Sequence, residues 1–360
     1  MLFIAILTGL FLGVTLLFLS IFQFGVSGSR CISSEQPPVS VIIAVKNEAE
    51  HLSKVLQRVI NQNYPNYEVI IINDHSTDDT LAIAKEFERS HDHVRVLEND
   101  GNGKKLAIKT GIYQAKNELL LFTDADCQPV SHHWIWEMTR CFDQNTSIVL
   151  GYSPHKFKKR PENILQQYET LLTACLYITA ARFFSPYMAV GRNLAYRRSL
   201  FMASDQFESH LNLLSGDDDL FIQQMGTRNN TKVCLSPRSF VISEPTNGLQ
   251  NLFKQKRRHI STAGSYQKEH QFLLALFHIA RFGTLSGFLA LMIFGGHPVQ
   301  AFIGLLIYFI LLQLAYIVPA RRLAARKVNW YVPVLEILLM IFQLVLTIDG
   351  LVNKKNIGWK

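Results

Sequence analysis

The chain opens on an apolar run, residues 1–29, that contains no charged side chain. At about 20 residues per bilayer crossing, that predicts one membrane-spanning helix. Three more apolar stretches, 272–296, 298–319 and 331–352, close the chain. Between these ends the pattern alternates. Residues 39–45 are apolar on both faces, as buried parallel strands are. Asn47 stands where it would cap a helix, with Glu48 and Glu50 in the first turn and an end near Gln62. A turn at 63–66 leads to a second buried strand, 68–72, and Ser76 or Thr77 starts a helix to about Phe87. A short strand at 94–97 and a helix from Lys104 to about Ala115 follow, then a strand, 118–123. Strand and helix repeat at a spacing of about 25 residues, which predicts a mostly parallel sheet with helices on both faces and ligands at the carboxyl ends of the strands. Residues 163–184 form a long, mostly apolar helix suited either to the membrane interface or to the core. A shorter helix-like stretch covers 220–225.

Composition narrows the class. With 360 residues and 48% hydrophobic content, one or two domains can each bury a core. The division predicted is a membrane helix over 1–29, a globular α/β domain over 30–270 and a membrane region over 271–360. The net charge of +8 would suit nucleic acid, but much of the excess flanks apolar segments: Arg321-Arg322, Arg326-Lys327 and Lys354-Lys355. Basic residues there report topology and anionic lipid contact, so membrane lipids are expected as partners and nucleic acid is not. The same bias places 30–270 and the 321–327 loop in the cytoplasm of an integral membrane protein, in a bacterial inner or cell membrane. Three full crossings at the C-terminal end would put Lys354, Lys355 and Lys360 outside, against the bias. One segment is therefore expected to be re-entrant or interfacial, and 272–296, which carries His278 and Arg281, is the candidate. The run at 1–29 starts without a basic region and is too long for a cleaved signal peptide. Five cysteines without CxxC or paired spacing suit a reducing compartment.

The polar clusters fall at the predicted strand ends. Asp124-Ala125-Asp126 ends the 118–123 strand, and two carboxylates one residue apart can hold a hard divalent cation and through it a diphosphate. Cys127 beside them is a possible ligand or a small residue closing the strand. Asp74 lies between a strand and a helix, where its carboxylate can read a base imide or a ribose hydroxyl; helix capping is the alternative use of this segment. In Gly101-Asn102-Gly103-Lys104 the glycines allow close backbone approach and Lys104 can face diphosphate, although the spacing is not that of a P-loop. Ser215-Gly216-Asp217-Asp218-Asp219 packs three carboxylates together, which suits a cation, an acidic cap or a poised general base. On one helical face, Gln255, Arg258 and His259 offer an amide, a guanidinium and an imidazole for a leaving diphosphate or for lipid headgroups. Arg192 or Tyr196, in the stretch 191–198, could line an acceptor site. HExxH, GxSxG, GxGxxG and GK[ST] patterns are absent from the sequence, which argues against a zinc protease, a hydrolase, a Rossmann oxidoreductase and an NTPase.

With these motifs in this order, residues 39–262 resemble the membrane-bound family 2 glycosyltransferases, which include cellulose, chitin and hyaluronan synthases and ceramide glucosyltransferase. The resemblance implies a GT-A fold, an α/β domain with a Rossmann-like, mostly parallel sheet, and places the opening strand motif at Ala44-Val45-Lys46-Asn47-Glu48. It implies that Ala44, Glu48, Asp74, Lys104 and Asp124 face the donor nucleotide and that Asp124 and Asp126 hold Mg²⁺ or Mn²⁺. It assigns the catalytic base to Asp217 when counted back from Leu220, or to Asp218 in the Gly-Asp-Asp alignment. Gln255 and Arg258 would bind the diphosphate, and His259 stands where the family has Trp, which leaves acceptor type and processivity open.

The activity implied is inverting transfer of a sugar from a nucleotide sugar, of UDP type, to a lipid, lipid-linked or polysaccharide acceptor. Two alternatives share these features: a membrane nucleotidyltransferase, which would release pyrophosphate, and a non-catalytic lipid-associated scaffold.

Overall fold

The structure is a computed structural model that describes residues 2–28, 31–211, 213 and 216–352. Helix α1 (Leu2–Gly25) leads into β1 (Val39–Val45), whose bounds are those predicted from its apolar run, interrupted only by Ser40. Then come α2 (Ala49–Ile60), β2 (Tyr67–Asn73), α3 (Thr80–Ser90), β3 (Val94–Glu98), α4 (Lys104–Gln114) and β4 (Leu119–Phe122). The second half of the globular part holds β5 (Cys127–Pro129), α5 (Trp134–Thr139), β6 (Ile148–Leu150), α6 (Pro161–Phe183), β7 (Leu194–Arg197) and α7 (Arg198–Met202). It continues through α8 (Asp219–Met225), β8 (Thr231–Val233), β9 (Val241–Ser243) and α9 (Leu249–Ala263). The last helices are α10 (Lys268–Phe294), α11 (Pro298–Arg322), α12 (Arg326–Asn329) and α13 (Val332–Val352).

Seven strands form one sheet in the order β3-β2-β1-β4-β7-β6-β8. The first four run parallel, β7 is antiparallel to both its neighbours, and β8 is parallel to β6. The expected mostly parallel sheet is thus present. Period-2 alternation sends Ile42, Ile70, Ile72 and Phe122 to one face, where they pack with Ile108 and Ile112 of α4 and with α6. Val41, Ile43, Val69 and Ile71 go to the other face and meet Leu52, Val55 and Leu56 of α2 and Trp134 of α5. Two cores therefore clamp one sheet, at about 1.5–3 kcal/mol per fully buried aliphatic side chain.

Among the described residues, four helices, α1, α10, α11 and α13, are long and apolar enough to cross a membrane. Helices α1 and α10 pack antiparallel: Thr15 and Thr284 hydroxyls lie 3.3 Å apart, and Phe22 meets Phe277 edge to face. A Cβ added at Gly283 or Gly287 would run into Phe11 or Thr8, so glycine is what permits this approach. Helix α6 is a core helix, buried along most of its length, that also holds the end of α1: Arg182 donates to the carbonyls of Gly25 and Ser27 at 2.5 and 2.8 Å.

The structure departs from the sequence reading at three points in this framework. Asn47 does not cap α2. It takes a left-handed backbone (φ 54°) and its Oδ1 accepts from Thr77 N at 2.8 Å, so the 74–79 turn is held to β1 and α3 begins only at Thr80. Cys31 and Cys141 form a disulfide across 110 residues, a partnership that short-range spacing cannot reveal, so the cysteines do not all fit a reducing setting. Tyr196, expected on an acceptor site, is a core residue stacked on Phe122 and tilted against Phe221, because its place on β7 faces the α6 side of the sheet.

Candidate active site

The sheet delivers the polar clusters to one place. β1, β2 and β4 all end on the same edge, where parallel strands finish and their following loops begin. The last residue of β2, Asn73, is followed by Asp74, which is fully buried (0% exposed). Its Oδ2 lies 3.0 Å from Lys46 Nζ, and its Oδ1 accepts from Asn99 Nδ2 at 2.5 Å and Gly103 N at 2.9 Å. Burial would raise the Asp74 pKa, but these donors and the Lys46 charge lower it below the usual carboxylate range. Asp74 thus fastens the 99–103 loop to β2. Gly103, at φ +98°, adopts the backbone that lets Lys104 open α4 toward the site.

Lys104 is the hub. Its Nζ lies 2.8 Å from Asp124 Oδ1 and 3.5 Å from Asp217 Oδ2, bridging the end of β4 to the acidic stretch before α8. Burial alone would lower the Lys104 pKa, but Asp124, Asp217 and Asp218 together raise it, so the ammonium stays charged. Burial pushes Asp124 up and Lys104 more than reverses it, with Arg192 and Arg258 adding to the effect. The two guanidiniums are therefore part of the same electrostatic site. Arg192 is aimed by Ser153, to which Nε donates at 2.7 Å. Lys104, Asp124, Thr123, Ala44 and Gly191 surround a cavity of about 10 Å³, room for roughly one water. A larger open depression of about 490 Å³ lies elsewhere, lined by Asn145, Asn229 and Asn230, none of which can move a proton at neutral pH.

Asp124, Asp126 and Cys127 bring their ligand atoms within 4.8 Å of one another. The Cys127 thiol donates to Asp126 Oδ1 at 3.0 Å, and burial with the two carboxylates holds its pKa well above the ordinary thiol value. The donor set is then two hard carboxylates, which fit Mg²⁺ or Mn²⁺ rather than a thiophilic metal.

The three acidic neighbours have separate environments. Asp218 caps α8: its Oδ1 accepts from Asp219 N at 2.9 Å and its Oδ2 from Gly191 N at 2.8 Å. Burial, then the charge of Asp217, pushes its pKa up to about 6. Asp219 accepts from the Tyr266 hydroxyl at 2.6 Å, and burial raises its pKa well above the usual range. Asp217 faces Lys104.

On α9, Gln255 Oε1 accepts from Thr246 Oγ1 at 3.0 Å and from Gln166 Nε2 at 3.3 Å, which fixes the helix against α6 while Arg258 acts on Asp124. The His259 side chain lies outside the described residues. Glu48 sits at the α2 start, its N–H bonded to Thr80 Oγ1 at 2.8 Å. Sequence reasoning missed Ser153, Asn99 and Tyr266, whose partners lie 25 to 47 residues away with no motif to link them.

A mostly parallel sheet that gathers a one-spaced Asp pair, a lysine and an acidic helix cap at its strand ends is a GT-A-type architecture. The family model of glycosyl transferase family 2 matches residues 40–204 of the chain. Among relatives, it is 42% identical over 101 residues to glycosyltransferase AglE of Haloferax volcanii, a match covering 27% of this chain and 33% of that one. It is 40% identical over 88 residues to the poly-β-1,6-N-acetyl-D-glucosamine synthase of Staphylococcus epidermidis, covering 24% and 21%. The matches thus span a third or less of these relatives. The fold is that of the mannosyltransferase PcManGT from Pyrobaculum calidifontis, solved with GDP-Man and Mn²⁺: TM-score 0.64 at 18% identity, covering 98% of this chain and 99% of that one.

Proposed function

We propose that this protein is a metal-dependent, inverting glycosyltransferase that moves a sugar from a nucleotide sugar, of UDP type, to a hydroxyl on a lipid or lipid-linked acceptor at the membrane. The observation that supports it most is the bridge of Lys104 between Asp124 and Asp217, which joins a candidate metal-diphosphate site to a candidate base. A divalent cation on Asp124 and Asp126 would supply Lewis-acid stabilisation of the departing diphosphate. In this reading Lys104, Arg192, Arg258 and, through its anchoring of α9, Gln255 hold the diphosphate charge. Ala44 and Glu48 line the donor side. Asp74 Oδ1 already accepts from Asn99 and the Gly103 N–H, and Oδ2 faces Lys46, so we assign Asp74 to shaping the donor loop as well as reading the base.

The base is Asp217 in this proposal. Asp218 is spent on two backbone N–H groups and Asp219 on Tyr266. Asp217 would take the acceptor proton as the acceptor oxygen attacks the anomeric carbon, and the bond from that carbon to the diphosphate breaks on the opposite face. A lipid acceptor is favoured because α9 packs against α13, one of the long apolar helices. We also take the catalytic domain, about residues 30–270, to be cytoplasmic, on the basic residues flanking the apolar segments, with the Cys31–Cys141 disulfide an exception to the usual cytosolic pattern.

The test is release of nucleoside diphosphate by the detergent-solubilised protein from a panel of nucleotide sugars, with Mn²⁺ or Mg²⁺ and a lipid extract. EDTA-sensitive release that rises with lipid and vanishes in Asp217→Asn is the expected result. Release of pyrophosphate instead would establish a nucleotidyltransferase. Full activity in Asp217→Asn would overturn the base assignment.

A further inference from the structure

Helix α13 is apolar enough to span a bilayer, yet it touches the globular domain along its length. Near its start, Glu336 Oε2 accepts from the Tyr168 hydroxyl of α6 at 2.6 Å. In its middle, Phe342 meets Phe253 of α9 edge to face, ring centroids 6.1 Å apart. Near its end, Asp349 Oδ2 lies 3.0 Å from Arg257 Nε, again on α9. At 1.5 Å per residue, Glu336 and Asp349 are about 20 Å apart along the helix. A helix crossing the membrane would carry Asp349 that far from the domain. Here its partners Tyr168 and Arg257 sit on two helices of the domain that are held together, since α6 and α9 are tied by Gln166 to Gln255 at 3.3 Å and Glu169 to Lys256 at 2.5 Å. Helix α9 also carries Lys254, Lys256, Arg257 and Arg258 within five residues, and such a helix does not sink to mid-bilayer.

Depth along α10 agrees. Arg281, which reaches Glu336 at 2.7 Å, lies only one turn beyond Phe277, and Phe277 packs on Phe22 at the domain end of α1. Glu336 is thus shallow as well. Just before α13, Trp330 is 84% exposed and Tyr331 53%, the side chains expected at headgroup level.

We propose that α13 does not cross the membrane: it lies in the interface on the same side as the globular domain, with its exposed stripe of Val334, Leu338, Ile341, Val345 and Ile348 resting on the acyl chains of that leaflet. These residues recur at intervals of four and three, one face of a helix, while Leu335, Leu339 and Leu346 on the other side are buried. α1, α10 and α11 are then the three crossings. Arg321, Arg322, Arg326, Lys327, Lys354, Lys355 and Lys360 all fall on one side, and the charge bias loses its exception. The interfacial segment is thereby α13, not the 272–296 stretch. This proposal does not depend on the glycosyltransferase reading.

The test is sidedness in oriented membrane vesicles of the full chain. A membrane-impermeant maleimide would probe Asn102→Cys, in an exposed loop of the domain, and His297→Cys, in the exposed α10–α11 turn. A protease-cleavable epitope fused after Lys360 leaves every native residue in place. The expected result is cleavage in the vesicles where Asn102→Cys labels and loss of cleavage where only His297→Cys labels. Cleavage alongside His297→Cys would overturn the proposal. A nitroxide on Ile341→Cys gives depth: about 5–10 Å below the headgroups is expected, and a position at the bilayer centre would overturn it too.

Discussion

The Lys104 ammonium lies 2.8 Å from Asp124 Oδ1, close enough to stand where a bound cation and diphosphate would redistribute charge. It also faces Asp217, so one side chain neutralises carboxylates from two separate motifs. Lys104→Met should therefore leave Asp124 and Asp217 uncompensated. A charge-assisted hydrogen bond is worth about 1.5–3 kcal/mol, and at 1.36 kcal/mol per decade that is roughly a 10- to 150-fold loss in kcat/KM for the nucleotide sugar. Lys104→Arg should recover part of it. Steady-state kinetics with both variants checks this, and an unimpaired Lys104→Met would remove Lys104 from the donor site.

Asp218 links stability to pH. Its pKa is pushed up to about 6 by burial and by Asp217, against about 3.9 in an unfolded chain. The folded state then holds its proton more tightly than the unfolded state. The site is neutral in both below about pH 4, and the unfavourable folded-state charge develops as pH rises from about 4 to about 6. Asp218→Asn removes that penalty but retains only one carbonyl oxygen for two backbone N–H groups. The Tm of the variant minus that of the wild type should hence become more positive between pH 4 and pH 7. A difference that is flat across this window would show that Asp218 is not raised.

Much of this arrangement was legible in the chain. β1 was found to the residue because a strand buried on both faces is a nearly continuous apolar run, with Ser40 its one polar residue, and α4 because Gly103-Lys104 marks its start. The Asp124-Ala125-Asp126 segment was placed for a related reason: it follows closely on the apolar run of β4. Three things were not visible. β5 and β9 are three residues each, too short for any period to show. The separate roles of Asp217, Asp218 and Asp219 depend on Gly191 and Tyr266, which reach the cluster only through the tertiary fold. Tyr196 and Arg192 were read alike because they are close in sequence, but a strand alternates its faces and a preceding turn does not.

The disulfide between Cys31 and Cys141 ties the segment after α1 to the end of α5, and Ser33 N reinforces it by donating to Arg140 O at 3.1 Å. In the chain-entropy account, closing a loop of this length stabilises by a few kcal/mol, about 2–5 in practice. Cys31→Ser and Cys141→Ser should each lower the Tm of the detergent-solubilised protein by several degrees, and a reductant should lower the wild type to match. Thermal unfolding with and without dithiothreitol checks it. Equal Tm values for all three proteins would mean that the bond adds nothing to the folded state.

Gly191 tests whether the α8 cap must sit where it does. Its N–H binds Asp218 Oδ2 at 2.8 Å, and a Cβ at position 191 would approach that same oxygen to 2.9 Å. Relief requires Asp218 to move, which breaks the bond to Gly191 N, strains the one to Asp219 N and shifts Asp217 relative to Lys104. A buried acceptor that loses its donor costs about 1–3 kcal/mol. Gly191→Ala should thus lower the Tm by several degrees and cut turnover by more than tenfold, with donor KM less affected because Asp124 and Asp126 are untouched. Thermal unfolding and steady-state kinetics on the same preparation separate the two effects. A variant with wild-type turnover would show that the exact placement of the acidic cap is not what sets the rate.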